Sequence, residues 1–129
     1  MTQWEPDAAQ GRIFSGGWRE SGGGVFAVTS PGDGGAVGTV GIADEHDVEQ
    51  AGLLAVSAQR GWARASFRAR ADVLHRAAEA LRDIRADVEH LLVRESGSLP
   101  TKASHEVGKA IDELVEAASL VTMSQGDVL

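Results

Sequence analysis

The chain has 129 residues, no cysteine, and 19 acidic against 12 basic residues, which gives a net charge of −7 at neutral pH. This length fits one ordinary domain. The absence of cysteine excludes disulfides, thiolate zinc sites, iron–sulfur clusters and a thiol nucleophile within this sequence. The acidity argues against a general nucleic-acid or anionic-membrane binder. With no apolar run of about 18 residues and no beginning of the signal-peptide type, we expect a cytoplasmic protein without a membrane span.

The composition changes sharply along the chain. Residues 1–43 hold 11 of the 16 glycines and six charged residues, whereas the other 86 residues hold five glycines and 25 charges. Glycine is common in the turns that separate strands, whereas Ala, Leu, Glu and Arg favour helices. We predict a flexible N-terminus over residues 1–12, strands and turns over 13–43, and helices over 44–125. The expected class is α/β: a β-hairpin or meander followed by three or four amphipathic helices.

Short β-prone runs separated by glycine predict small antiparallel strands in the first part of the chain. Gly38 and Gly41 weaken the last of these strands and indicate either a bulge or a close backbone approach. A hairpin of this size is marginal alone and must pack on something. The predicted strands are Arg12–Phe14, Trp18–Glu20, Val25–Thr29 and Ala36–Ile42.

Apolar residues at helical spacing predict helices in the second part of the chain. Asp44 is a good N-cap for the first helix, and Asp47 suits its positive start. The first apolar stripe is Val48, Ala51, Leu54, Ala55, Ala58 and Trp62.

Ser66 can cap a second helix, which we expect to break near Arg85–Ala86, restart at Asp87 and stop at Gly97, before Pro100. Its stripe is Ala71, Leu74, Ala77, Ala78, Leu81 and Ile84, then Val88, Leu91 and Leu92. The stripe of the third helix is Ala103, Val107, Ala110, Ile111, Leu114, Ala117, Ala118 and Val121.

The sequence matches none of the phosphate-binding, zinc-binding or nucleophile motifs in full. Gly32–Val37 fails the dinucleotide fingerprint because its last position is Val37, and no lysine follows as a Walker A loop requires. His105–Lys109 begins like a zinc-protease motif, but Lys109 replaces the second histidine. His46, His75 and His90 are expected to be structural. Ser96–Ser98 reads as a helix stop rather than a nucleophile elbow.

Charged clusters also favour structural interpretations. The acidic clusters, Asp83/Asp87 and Asp112/Glu113/Glu116, lie at surface spacings of helices. An arginine-rich stretch alternates with acids in an acidic protein, so a charged helix face is preferred over a nucleic-acid contact. That stretch contains Arg60, Arg64, Arg68, Arg70, Arg76, Arg82 and Arg85. The residues alone therefore predict no catalytic, cofactor-binding or metal-binding site.

Read in order, six segments resemble the N-terminal part of the aldehyde dehydrogenase family. They are Ile13–Trp18, Val28–Val40, Asp47–Ala51, Ala58–Ala63, Arg70–Ala78 and Arg94–Val107. The stretch Arg94–Ser98, R-E-S-G-S, is similar to benzaldehyde-type members. The chain departs from the family's Pro-Ala-Thr-Gly-Glu at Pro31–Gly35, which changes a turn. The resemblance implies that residues 13–129 form part of a coenzyme-binding domain.

The family oxidises aldehydes to carboxylic acids with NAD or NADP, using a cysteine nucleophile and a glutamate base. These residues and the nucleotide-binding glycines come after the segment seen here. The resemblance therefore implies a truncated fragment that binds no cofactor and is inactive alone, with no catalytic, cofactor or metal residue to assign. Its exposed apolar helix faces would favour self-association or a complementary dehydrogenase chain. The alternatives are a small helical interaction module or one part of a split enzyme.

Overall fold

The computed structural model describes residues 6–121 and 123, which form an α/β arrangement as predicted. Within these residues, four strands and a short first helix precede four longer helices. Their bounds are α1 Pro6–Ala9, β1 Arg12–Phe14, β2 Trp18–Glu20, β3 Val25–Thr29, β4 Ala36–Gly41, α2 Glu45–Arg64, α3 Phe67–Asp83, α4 Arg85–Ser96 and α5 Pro100–Leu120. The chain forms two compact units, one from residues 6–61 with 94–98 and one from residues 62–93 with 99–121.

The strands form two separate antiparallel hairpins rather than one meander. Strand β1 pairs with β2, and β3 pairs with β4, each as a two-stranded sheet. Phe14 lies opposite Trp18 in the first hairpin, and their rings meet edge to face at 5.2 Å between centroids. Such aromatic pairs stabilise a hairpin by cross-strand packing.

Both expectations for the glycines of β4 are met. A Cβ on Gly41 would lie 2.8 Å from the backbone carbon of Arg12, and one on Gly38 would lie 2.8 Å from Nε2 of Gln10. Glycine thus allows a close approach of two chain segments. The register is also irregular, which leaves Val37 as an extra residue in β4, a β-bulge.

The predicted flexibility of residues 1–12 stays a prediction, and residues 1–5 lie outside the described residues. The end of this segment makes defined contacts with β4. Gln10 accepts a hydrogen bond on Oε1 from the backbone N–H of Thr39, at 2.8 Å. The N–H of Gly11 donates to the carbonyl oxygen of Thr39, at 3.1 Å. The predicted end of the helical part at residue 125 also lies outside the described residues.

The predicted helix ends are largely confirmed. Ser66 caps α3 by accepting a hydrogen bond from the N–H of Ala69, at 3.2 Å. The chain breaks at Ile84, one residue before the predicted position, and α4 begins at Arg85, two residues before the predicted restart at Asp87. Gly97 follows α4 with φ +65°, the left-handed conformation that glycine adopts at helix ends.

The second unit has a small core between α3 and α5. Ala78 of α3 packs with Val107 and Ile111 of α5, and all three are buried. Arg85 joins α4 to α5 because its Nη2 donates to the backbone and side-chain oxygens of Ser104, both at 3.0 Å. The partly buried residues around this core are Leu81, Val88, Leu92, Leu114 and Val115. The stripes predicted for these helices thus supply this core, except for Val115, which lies outside the predicted stripe.

Helix α2 differs because every residue from Gly52 to Arg64 is exposed. Its predicted apolar stripe therefore lies largely open, with Val48, Leu54 and Trp62 among the exposed large apolar residues of the structure. Contiguous apolar surface of this kind marks a place where another surface packs. None of the helices within residues 6–121 combines the length and hydropathy that a bilayer crossing requires.

Candidate functional site

Asp47, in the first turn of α2, is the one buried polar or charged residue of the part of the chain that the structure describes. Its Oδ1 accepts a hydrogen bond from Nη2 of Arg19, in β2, at 2.9 Å. Its Oδ2 accepts hydrogen bonds from the backbone N–H groups of Gly22, at 2.7 Å, and Asp44, at 3.1 Å. The carboxylate thus joins the first hairpin to the start of α2.

The local sequence explains how this joint forms. The Oδ1 of Asp44 accepts a hydrogen bond from the N–H of Asp47 at 2.8 Å, so the two aspartates cap the helix reciprocally. Gly22 can approach because it has no side chain, since an added Cβ would collide with the carboxylate of Asp44. The sequence indicated the caps but not Arg19, which lies 28 residues away.

Hydrogen bonds hold the pKa of Asp47 below its ordinary value. The N–H of Gly22 contributes most, followed by the N–H of Asp44 and then by the charges of Arg19 and His46. A general base works best with a pKa near the operating pH. Asp47 therefore stays ionised with its oxygens already occupied, which suits a structural joint and not acid–base catalysis.

We expect the Asp47→Asn variant to be less stable at neutral pH and to lose part of the acid sensitivity of the fold. A lowered folded-state pKa adds stability that is present above the unfolded value, 3.8, and is lost as pH falls through the folded value. Thermal unfolding followed by circular dichroism between neutral and strongly acidic pH measures both effects. Asp112→Asn, at an exposed position of α5, is the matched control. Equal pH profiles for the two variants would contradict the structural role of Asp47.

The glycine-rich segment forms the turn between β3 and β4. Ser30 donates its N–H to the carbonyl of Gly35 and accepts from the N–H of Gly34, both at 2.8 Å. Strands lie on both sides, so the strand–loop–helix setting of a phosphate loop is not formed here.

The four histidines are all exposed and are not brought together. His46 lies at the start of α2, with Nδ1 4.0 Å from Oε2 of Glu49, in an open acidic depression. Within residues 6–121 and 123, no three or more His, Asp or Glu side chains are grouped so that they could hold a metal ion. The expectation that the chain has no metal or catalytic residue stays a prediction.

Ser96 and Ser98 lie at the end of α4, as a helix stop, and the segment around them packs on the turn between β3 and β4. Nη2 of Arg94 donates to the carbonyl oxygen of Ala36 at 3.1 Å. An added Cβ on Gly97 would lie 3.0 Å from Cγ of Pro31. The R-E-S-G-S segment thus supports the hairpin, a role that sequence reasoning missed because 58 residues separate Arg94 from Ala36.

Two arginines of the arginine-rich stretch have partners within the second unit. Arg70 lies over the ring of Phe67, 5.0 Å from its centroid, and Arg85 binds Glu89 and Ser104. Every residue of the two predicted acidic clusters, Asp83/Asp87 and Asp112/Glu113/Glu116, lies at an exposed position.

Comparison with known proteins decides the family. The model of the aldehyde dehydrogenase family matches residues 18–129. The chain belongs to the aldehyde dehydrogenase family. This confirms the resemblance inferred from the order of the six segments, and a benzaldehyde dehydrogenase is among the relatives of the chain.

The relatives are aldehyde dehydrogenases of about four times the matched length. The vanillin dehydrogenase of an Amycolatopsis species is 43% identical over 119 residues, which cover 92% of this chain and 24% of that protein. The NAD+ benzaldehyde dehydrogenase of Pseudomonas putida is 35% identical over 116 residues, 90% of this chain and 24% of that protein. The chain thus spans about a quarter of the length of these curated relatives.

A solved structure shows the same arrangement of elements. The NAD-dependent benzaldehyde dehydrogenase from Corynebacterium glutamicum superposes with a TM-score of 0.82 at 28% identity. The match covers 95% of this chain and 28% of that chain. The two hairpins and four long helices are therefore the N-terminal arrangement of an aldehyde dehydrogenase.

Proposed function

We propose that this chain acts as the N-terminal part of a cytoplasmic, NAD(P)-dependent dehydrogenase that oxidises an aromatic aldehyde to its carboxylic acid. The observation that carries the proposal is the 43% identity to vanillin dehydrogenase over 92% of the chain. The 35% identity to benzaldehyde dehydrogenase supports the same substrate class.

Within such an enzyme this segment supplies support and not chemistry. Thiol-dependent aldehyde oxidation needs a nucleophile beside the nicotinamide, and the sequence holds no cysteine. The buried carboxylate, Asp47, is already occupied by Arg19 and two N–H groups. We therefore propose that the segment binds neither NAD nor NADP by itself and is inactive alone.

The exposed apolar stripe of α2 is where the rest of the dehydrogenase polypeptide would pack. Leu54 and Trp62 are about half exposed, and side chains of this size gain about 1.5–3 kcal/mol each when fully buried. The same stripe supports a second candidate function, in which this chain binds a separate dehydrogenase chain as one part of a split enzyme.

The test is a chimera in which this chain replaces the matched quarter of the Amycolatopsis vanillin dehydrogenase. We expect the folded chimera to oxidise vanillin with formation of NADH, whereas the relative without its matched quarter should be inactive. This chain alone, given NAD+ or NADP+ with vanillin or benzaldehyde, should form no reduced cofactor. A folded but inactive chimera would contradict the family role, and turnover by the chain alone would contradict the supporting role.

Adding this chain in trans to the shortened relative separates the two candidates. Activity recovered on mixing supports the split enzyme, and activity confined to the covalent chimera excludes it.

The aldehyde class is tested with the polypeptide that the DNA following the last codon encodes. We expect this DNA to encode the cysteine- and glutamate-bearing segments, and the joined polypeptide should prefer benzaldehyde to an aliphatic aldehyde. A preference for the aliphatic aldehyde would overturn the aromatic assignment.

A further inference from the structure

Helix α2 carries a second exposed stripe, on the side opposite its apolar stripe. At 100° per residue its members fall within an arc of about 100°, because they are spaced by four, four, three, four and four residues. All are exposed, and the two central apolar side chains, Leu53 and Val56, are 58% and 65% exposed. We call this the mixed stripe: Glu45, Glu49, Leu53, Val56, Arg60 and Arg64.

Helix α2 alone explains only part of the charge of the mixed stripe. Glu45 and Arg64 lie in the first and last turns, where the helix dipole favours these signs. Glu49 has His46 of the same helix beside it, with 4.0 Å between Oε2 of Glu49 and Nδ1 of His46. The effect of the dipole fades beyond one turn, so it does not account for Arg60. Glu49 and Arg60 also each sit four residues from a like charge, which disfavours the isolated helix. The positions three and four residues from Arg60 hold no acid.

The stripe is complementary to itself when its direction is reversed. The midpoint between residues 54 and 55 relates Glu49 to Arg60, Leu53 to Val56, and the first residue of α2 to its last. We propose that α2 pairs with α2 of a second copy of this chain, antiparallel about a two-fold axis at that midpoint. Glu49 then faces Arg60 of the second copy at both ends of an apolar centre. A self-complementary patch of this kind forms a closed, isologous dimer.

Charge complementarity identifies the occupant as a second copy. A generic apolar partner would leave the acidic and basic ends of the stripe unmatched, and a parallel pairing would place like charges opposite each other. The antiparallel pairing matches both ends at once. This inference rests on α2 alone and does not depend on the proposed activity.

Two valines of α2 provide a matched test. Val48, on the apolar stripe, and Val56, on the mixed stripe, are both 65% exposed. Analytical ultracentrifugation of the chain should show a concentration-dependent dimer that Val56→Ser weakens roughly tenfold or more in Kd, since the change occurs twice in the dimer. Val48→Ser should change Kd less than about twofold, because Val48 belongs to the apolar stripe on the opposite side of α2, outside the proposed dimer contact. A monomer at millimolar concentration, or equal effects of the two changes, would overturn the proposal.

A charge swap tests the pairing itself. Glu49→Arg places like charges opposite each other and should weaken the dimer roughly tenfold or more. Glu49→Arg combined with Arg60→Glu restores opposite charges and should return Kd to near the original value. Added salt should weaken the original dimer by screening these exposed charges. Failure of the combined variant to recover, with circular dichroism showing intact helix, would contradict this register.

Spin labels distinguish antiparallel from parallel pairing, and the lack of native cysteine makes labelling specific. At 1.5 Å rise per residue, labels at Ser57→Cys should be offset by about 8 Å along the helix axis, and labels at His46→Cys by about 26 Å. A parallel pair would give no axial offset at either position. Equal label-to-label distances in the two variants would therefore overturn the antiparallel arrangement.

Discussion

Replacing Ile111 with alanine should lower the free energy of unfolding of the α3–α5 unit by about 2–5 kcal/mol. Ile111 is 5% exposed and packs with Ala78 and Val107 at the centre of the buried cluster. The change removes three carbons from this contact and leaves a cavity, because both neighbours are too small or too fixed by their helices to fill it. A domain with few large buried side chains has little stability to spare.

Chemical denaturation followed by helix ellipticity measures this loss. Leu99→Ala is the matched control because it also removes three carbons, from a side chain that is 70% exposed. We expect the control to change the stability by no more than about 0.5 kcal/mol. If the two variants lost similar stability, Ile111 would not be part of the core of this unit.

The Gly41→Ala variant should destabilise the first unit by about 1–3 kcal/mol. The new Cβ would meet the backbone of Arg12 at 2.8 Å and Oγ of Ser21 at the same distance. A side-chain end could move aside, but the backbone of β1 is held by its pairing with β2. The contact between β1 and β4 must therefore open.

Gly52→Ala is the control, with an effect of opposite sign. Nothing lies within 4 Å of a Cβ at Gly52, which sits in the exposed middle of α2. Alanine there should stabilise the helix by about 0.8–1 kcal/mol because it costs less backbone entropy. Thermal unfolding of both variants gives the comparison. A neutral or stabilising Gly41→Ala would contradict the close approach of the two hairpins.

Local features of this fold could be predicted from sequence because they depend on single residues. Glycines marked where each strand stops, and Ser66 marked the start of α3. Gly97 marked the end of α4, and its φ is positive in the structure, as glycine allows. The break between α3 and α4 was placed one residue late because no proline or glycine marks Ile84.

Long-range features could not be predicted because no local preference encodes them. The pairing of strands into two hairpins depends on register, which a run of β-prone residues does not specify uniquely. The hydrogen bond from Arg19 to Asp47 joins residues that are 28 positions apart, and the hydrogen bond from Arg94 to Ala36 joins residues that are 58 positions apart. The family came from the order of motifs and not from any catalytic geometry.

The contact between Arg94 and Ala36 also determines when the first unit can complete its folding during synthesis. The turn after β3 leaves the ribosome 58 residues before the arginine that binds it. At 5–20 residues per second this interval is about 3–12 s. During that time the carbonyl of Ala36 and the ring of Pro31 lack the cover that residues 94–98 give them. The first unit is therefore finished only after most of the second has been made, so a nascent chain ending before Arg94 should exchange amide hydrogens of the β3–β4 turn faster than the complete chain.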